Sequence, residues 1–191
     1  MAAMLAAACI LLWVITDAMG YDLFVAFVPA TLILLFFSFP ALHKAQRGRN
    51  GVTGTIGYWL MLIAGGLFAL VFLVGIFYDT VMNEAPETAL PFLFADDSPI
   101  FPIVFFGLIL GILIFGIATL IAGVAPRLAT LLFLFGLPLG VLLDFFILQS
   151  EDNQGPGFYI GIPMFAIGLL WLGWWVWSAK GSMSSAASSE T

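Results

Sequence analysis

Residues 100–124 read IFPIVFFGLILGILIFGIATLIAGV, a run of 25 residues without a charged side chain. The hydrocarbon core of a bilayer is about 30 Å thick, and a helix that rises about 1.5 Å per residue crosses it in about 20 apolar residues. The run is therefore long enough to cross a membrane, and we predict that it forms a transmembrane helix.

Five further apolar runs flank this stretch, each separated from the next by charged or turn residues. Lipid cannot pair with backbone polar groups, which leaves helices or a closed barrel as spanning elements, and the runs lack the period-two alternation of barrel strands. The sequence predicts an all-α, polytopic integral membrane protein with six transmembrane helices in three hairpins. The predicted helices cover residues 2–16, 23–39, 57–78, 100–124, 128–148 and 158–178.

Composition supports the same class. The chain is 63% hydrophobic and 8% charged, whereas soluble domains average about 45–50% apolar and about 25% charged residues. The six helices and their loops use nearly all of residues 1–180, so we predict one transmembrane domain surrounded by lipid, with no nucleic-acid partner. Residues 181–191 are rich in serine and alanine, and we predict that they form a disordered tail.

The positions of the basic residues predict the orientation. Lysine and arginine in short loops mark the cytoplasmic side of a membrane. With six crossings, all five basic residues fall on one side, together with both chain termini, while ten of the eleven acids fall towards the other side. We therefore expect a multi-pass protein of the plasma membrane of a bacterium or archaeon, with cytoplasmic termini. The basic residues are Lys44, Arg47, Arg49, Arg127 and Lys180.

Asp144 interrupts the apolar run of the fifth predicted helix. A carboxylate costs a few kcal/mol at the centre of a bilayer, so it usually faces the helix bundle or water. Gly136, Gly140 and Asp144 follow one another at spacings of four, which places the acid on the same helix face as two glycines. Three roles remain open: a structural acid, an ion or proton site, and a plain interfacial acid.

Small residues recur at four-residue spacing on three predicted helices. Such faces let helix backbones approach closely, and packing drives helix association in lipid. We predict internal packing, with an oligomer interface as the alternative. The residues are Gly65, Ala69, Gly107, Gly111, Ala118, Ala122, Gly136 and Gly140.

Four tryptophans crowd the predicted cytoplasmic end of the last helix. Indole rings favour the headgroup level, so we predict an interfacial aromatic belt, with a pigment or quinone site as the alternative. The residues are Trp171, Trp174, Trp175 and Trp177.

No set of catalytic residues is evident. His43 and Cys9 are the only histidine and the only cysteine, so motifs that need two histidines or a pair of cysteines are absent. We predict no enzymatic activity, no catalytic residue, no metal site and no cofactor.

The leading hypothesis is therefore a non-enzymatic membrane protein, an accessory or scaffolding component that acts through helix packing. Its partner would be another membrane protein or further copies of itself. The alternative is a small oligomeric permease or channel for cations or protons, with an acidic outer vestibule and Asp144 in its path.

Overall fold

The computed structural model describes residues 1–21, 24–46, 49, 51–83, 85–94, 98–123, 125–144 and 155–188. Within these ranges the chain forms helices and turns and no strand, which confirms the prediction of an all-helical chain for this part. A π-helical turn, Tyr78–Met82, extends the third helix. The helices are α1 (Ala2–Ala18), α2 (Phe24–Ala45), α3 (Gly51–Phe77), α4 (Pro86–Ala89), α5 (Pro91–Phe94), α6 (Ile100–Ala122), α7 (Arg127–Leu142) and α8 (Pro156–Ser188).

Four segments of the described chain are long and apolar enough to cross a membrane, and they indicate a membrane protein. They are Phe27–Ala45, Gly51–Met82, Ile100–Ala122 and Gly157–Ser178. Two further apolar helices are shorter: α1 has 17 residues and α7 has 16.

The helix α2 runs through Pro40, although the sequence predicted an end at residue 39. Proline removes one backbone hydrogen bond and commonly ends or kinks a helix. One face of the turn beyond it is nevertheless buried, since Leu42 and Gln46 are each 1% exposed. We attribute the continuation of α2 to Ala45 to this packing, which a reading of local signals alone does not reveal.

The helix α3 begins at Gly51, six residues before the predicted start. Two glycines in these first turns, Gly54 and Gly57, are buried. A Cβ atom added to Gly57 would lie 2.5 Å from the backbone nitrogen of Phe115 on α6. The glycine therefore permits a close approach of two backbones, and this contact holds the first turns of α3 in place.

Three other boundaries differ from the predictions. Gly123, with φ of +63°, follows the end of α6 at Ala122, two residues early. Residues 143 and 144 continue α7 in a π-helical turn, and residues 145–148 of the predicted fifth helix lie outside the described ranges. The helix α8 continues to Ser188 instead of 178, so it includes most of the segment predicted to be disordered. That segment contains no proline, and its alanines favour the extension of an existing helix.

The six long helices form a closed ring. Each packs antiparallel against the next one along the chain, and α8 returns to pack against α1. The start of α1 meets the far part of α8, where Ala3 lies beside Gly173, while Asp17 near the end of α1 meets Tyr159. The tightest packing occurs in the pairs α3/α6 and α7/α8, followed by α1/α2.

This arrangement gives the ring two distinct ends. At one, which we name the basic end, α1 begins and α2 and α6 finish, and the exposed residues Lys44, Arg49 and Arg127 lie here. At the other, the acidic end, α1 finishes and α8 begins, and Asp17 and Asp144 lie here. The chain therefore enters and leaves the ring at the same end.

The outer surface of the ring is apolar. Ile63 on α3 is 58% exposed and Ile121 on α6 is 82% exposed, and many other large apolar side chains also face outwards. A soluble protein rarely presents so extensive an apolar surface to water. The surface matches a surrounding of lipid chains.

Candidate functional site

The carboxylate of Asp144 contacts the first turn of α8. Its Oδ1 accepts a hydrogen bond from the backbone N–H of Gly157 at 2.7 Å. The first four N–H groups of a helix have no partner within the helix, and the helix dipole favours a negative charge beside them. Asp144 thus supplies an acceptor to a helix start at the acidic end of the ring.

The segment Gly155-Pro156-Gly157 is shaped to receive this carboxylate. A Cβ atom added to either glycine would collide with the Asp144 side chain, and proline is well suited to the first position of a helix because its missing N–H needs no partner there. Sequence reasoning missed this contact. The signal that could have found it is the proline that opens α8 between two glycines.

A cavity of about 560 Å³ occupies the inside of the ring. All six long helices contribute to its wall, and nine of the 22 lining residues are aromatic. Along α6 it extends from Phe101 to Ile112, and Asp144 and Phe158 line it near the acidic end. The cavity therefore lies in the half of the ring nearer the acidic end.

The volume of about 560 Å³ is large enough for a small molecule, because ligand sites usually occupy about 300–1,000 Å³. Water needs several polar partners to occupy a cavity, and few polar groups line this one. An apolar occupant therefore fits the wall better than water does.

Among the described residues, the polar side chains on the wall are few. Apart from the indole of Trp13, they are Thr31 and Asp144. Thr31 is 7% exposed, and its hydroxyl has no hydrogen-bond partner within the described part of the chain. Asp144 is the single charged residue that these ranges place on the wall. Tyr159, near the start of α8, donates a hydrogen bond to Oδ2 of Asp17 at 2.7 Å.

Four of the small residues singled out in the sequence lie between α3 and α6. A Cβ atom on Gly111 would lie 2.5 Å from the backbone nitrogen of Met61, whereas one on Gly107 would lie 3.3 Å from the Cβ atom of Ala64. A Cβ atom on Gly65 would lie 3.3 Å from a side-chain carbon of Leu108. Ala69 is half-buried on α3.

The other small residues lie on α6 and α7. Ala118 is buried and Ala122 is half-buried on α6. Gly136 meets the backbone of Phe165 on α8, and a Cβ atom on Gly140 would lie 2.9 Å from the carbonyl oxygen of Gly157. The tight glycine contacts thus lie inside the ring and are already used by its own helices.

A buried polar contact near the basic end was also missed by the sequence reasoning. The hydroxyl of Thr119 on α6 lies 2.8 Å from Oε1 of Gln46, which follows α2, and both residues are almost fully buried. His43 stacks on the ring of Tyr58 nearby, with centroids 4.1 Å apart. These contacts join the ends of α2, α3 and α6.

The tryptophans occupy the part of α8 nearest the basic end. Trp171, Trp174 and Trp177 are 41%, 52% and 49% exposed, and Trp175 packs against the core. Three of the four rings therefore face the lipid side of α8, as an aromatic belt requires. Of the predicted cytoplasmic basic residues, Lys180 lies within α8 and Arg47 lies outside the described ranges.

Among the described residues, no group of three or more His, Cys, Asp and Glu side chains is placed to hold a metal ion. Cys9 is half-buried on α1 as a free thiol. Comparisons with protein-family models, curated proteins and solved structures found no match to this chain.

Proposed function

We propose that all six long helices cross the membrane and that the basic end faces the cytoplasm. The antiparallel order of the ring supports this proposal. The two shorter helices, α1 and α7, lie alongside the four helices that are long enough to cross a membrane. At about 1.5 Å per residue, 17 and 16 residues span roughly 25 Å, close to the thickness of the hydrocarbon core. The basic residues at one end support a cytoplasmic basic end, in the plasma membrane of a bacterium or archaeon.

Cysteine labelling in intact cells tests the topology. In a Cys9→Ser background, a cysteine at Gly48 or Ser184 is expected to be protected from an impermeant thiol reagent, and one at Asn153 is expected to react. Permeabilised cells provide the control, since all three positions should then be labelled. Labelling of Gly48 in intact cells would refute the orientation.

We further propose that the protein is a non-enzymatic accessory component that acts by contact with other components of the membrane. The observation that carries this proposal is the use of Asp144. It is the one charged residue that the described part of the chain places on the cavity wall, and it accepts a hydrogen bond from the start of α8, while the rest of the described wall is mostly apolar. An apolar cavity with a single acid offers neither a hydrated path nor a set of catalytic groups. The glycine contacts are internal, so any partner would bind to the apolar outer surface.

Purification from the native membrane tests the accessory role. In a mild detergent, the chain is expected to run as a complex larger than its own 20.6 kDa plus detergent, with one partner at a fixed ratio or with further copies of itself. The complex should survive cross-linking before solubilisation. Recovery of only the single chain, cross-linked or not, would contradict this role.

The alternative function is a permease or channel for cations or protons. It is favoured by one observation, the contact of the cavity with Asp144. Wild type and Asp144→Asn would be reconstituted in liposomes, and proton and alkali-cation movement followed under an imposed gradient. Asp79→Asn, an exposed acid on the π-helical turn, is the matched control. Wild-type flux that is lost only in Asp144→Asn would support the permease and overturn the accessory role.

A further inference from the structure

The length of the cavity matches one leaflet of a bilayer. Its wall on α6 runs from Phe101 to Ile112, which is about 16 Å at about 1.5 Å per residue. The hydrocarbon core is about 30 Å thick, so one leaflet contributes about half of that. A hydrocarbon chain that enters from one leaflet therefore has the length of this cavity. The volume also falls within the range of about 300–1,000 Å³ that is usual for small-molecule sites.

The cavity also borders the lipid-facing surface. Phe36 on α2 and Phe101 on α6 line it, and they are 42% and 41% exposed. Side chains with this exposure are not sealed inside the ring, so the cavity is open beside them. A molecule dissolved in the bilayer can reach the cavity there.

The polar groups of the cavity select the head of such a molecule. Asp144 accepts the N–H of Gly157 through Oδ1, and within the described residues its Oδ2 receives no hydrogen bond. The hydroxyl of Thr31 also lacks a partner among these residues. Asp17 lies at the same end, whereas the described residues Lys44, Arg49 and Arg127 lie at the basic end. An anionic head would meet like charge there, whereas a hydroxyl could donate its proton to Asp144.

We propose that the cavity binds a single-chain lipid-like alcohol, with the hydrocarbon chain among the aromatic rings and the hydroxyl hydrogen-bonded to Asp144. The ligand enters from the leaflet at the acidic end of the ring. This site goes beyond the accessory role, because it needs no protein partner.

Photolabelling in liposomes tests the site. The probe is tetradecanol with a diazirine in its chain, and tetradecanoate with the same diazirine is the anionic comparison. The wild-type chain is expected to be labelled on residues of the cavity wall, chiefly on α2, α6 and α8. Unlabelled tetradecanol should compete more strongly than tetradecanoate. Labelling spread evenly over the outer surface would refute a cavity site.

Two variants on one helix separate the cavity from the lipid surface. Leu108→Trp fills the cavity, and Leu110→Trp places the same side chain on the outside, where Leu110 is 51% exposed. Labelling of the wall should fall about tenfold in Leu108→Trp, as expected for a loss of about 1.4 kcal/mol in binding, and stay unchanged in Leu110→Trp. Equal labelling of a well-folded Leu108→Trp would overturn the proposal.

A change of Asp144 tests the head of the ligand and keeps the proposal open to refutation if Leu108→Trp does not fold. Asp144→Asn preserves size and replaces the charged acceptor by a neutral one. It should weaken the competition by tetradecanol roughly fivefold, the value of one hydrogen bond, with little effect on a competing tetradecane. Unchanged competition by tetradecanol in Asp144→Asn would refute the hydroxyl contact, as would stronger competition by tetradecanoate than by tetradecanol.

Discussion

Gly111 and Gly107 lie one turn apart on α6 and face the same neighbour, α3, but they differ in the room that they leave. A Cβ atom on Gly111 would lie 2.5, 2.7 and 3.0 Å from the backbone nitrogen, Cα and Cβ atoms of Met61. Ordinary van der Waals contact begins at 3.4 Å, so the backbones would have to separate by about 0.9 Å (3.4 − 2.5). On Gly107, the nearest atom is the Cβ of Ala64 at 3.3 Å, and a shift of about 0.1 Å suffices.

These distances predict opposite effects for the same substitution. In a helix, alanine is more favourable than glycine by up to about 1 kcal/mol, and this gain applies at both positions. Overpacking against a rigid backbone costs about 1–3 kcal/mol. We expect Gly107→Ala to be neutral or stabilising by several tenths of a kcal/mol, and Gly111→Ala to destabilise by about 1–2 kcal/mol after the gain is subtracted.

Thermal unfolding of the two purified variants in one detergent measures the difference. For a chain of this size, about 1 kcal/mol corresponds to about 2–4 °C in Tm, so Gly111→Ala should lose roughly 2–8 °C and Gly107→Ala should lose nothing. Both variants replace a glycine of α6 by alanine at its contact with α3, so each serves as the control for the other. A Gly111→Ala protein as stable as Gly107→Ala would refute the close approach of α3 and α6.

Three further perturbations address the polar contacts. Thr119→Val removes the buried hydrogen bond to Gln46 and should lower the free energy of unfolding by about 1 kcal/mol. A double-mutant cycle with Gln46→Leu in the same thermal assay should show coupling between the two positions. Additive effects of the two changes would contradict the contact. Tyr159→Phe removes the donor to Asp17 and should lower stability by about 1 kcal/mol in chemical unfolding, an effect that should disappear in an Asp17→Leu background, which has no acceptor. Asp144→Ala removes the acceptor at the start of α8 and should lower the free energy of unfolding by about 1 kcal/mol. Asp144→Asn retains an acceptor oxygen and should lower it less. Equal losses of stability in the two variants would contradict the role of Asp144 at the helix start.

The close packing of α7 on α8 shows what the four-residue spacing of small residues predicts and what it does not. Gly136 and Gly140 at four-residue spacing indicate a face that admits another backbone, and in the structure that backbone belongs to α8. The partner could not be read from the sequence, because small residues also occur on α3 and α6. Only the closure of the ring decides which faces meet.

Asp144 shows the same division between sequence and structure. Its apolar neighbours marked it as a residue that needs a partner, but the sequence left a structural acid, an ion or proton site and a plain interfacial acid open. The structure supplies the Gly157 N–H and places Tyr159 on Asp17. The Asp144–Gly157 hydrogen bond joins residues 13 positions apart in the chain, and the Asp17–Tyr159 hydrogen bond joins residues 142 positions apart. The packing of the ring brings these residues together, and such separations leave no local pattern in the sequence.

The sequence by itself determined the helical, lipid-facing character of the chain, since apolar runs of helix length leave the backbone no other way to satisfy its hydrogen bonds in lipid. It also determined that lysine and arginine gather at one end. Only the tertiary structure decided that α2 continues past Pro40, that Thr119 meets Gln46, and that six helices enclose a cavity. The physical reason is that these features depend on how side-chain volumes from distant helices fit together, and volume complementarity leaves no periodic signal along the chain.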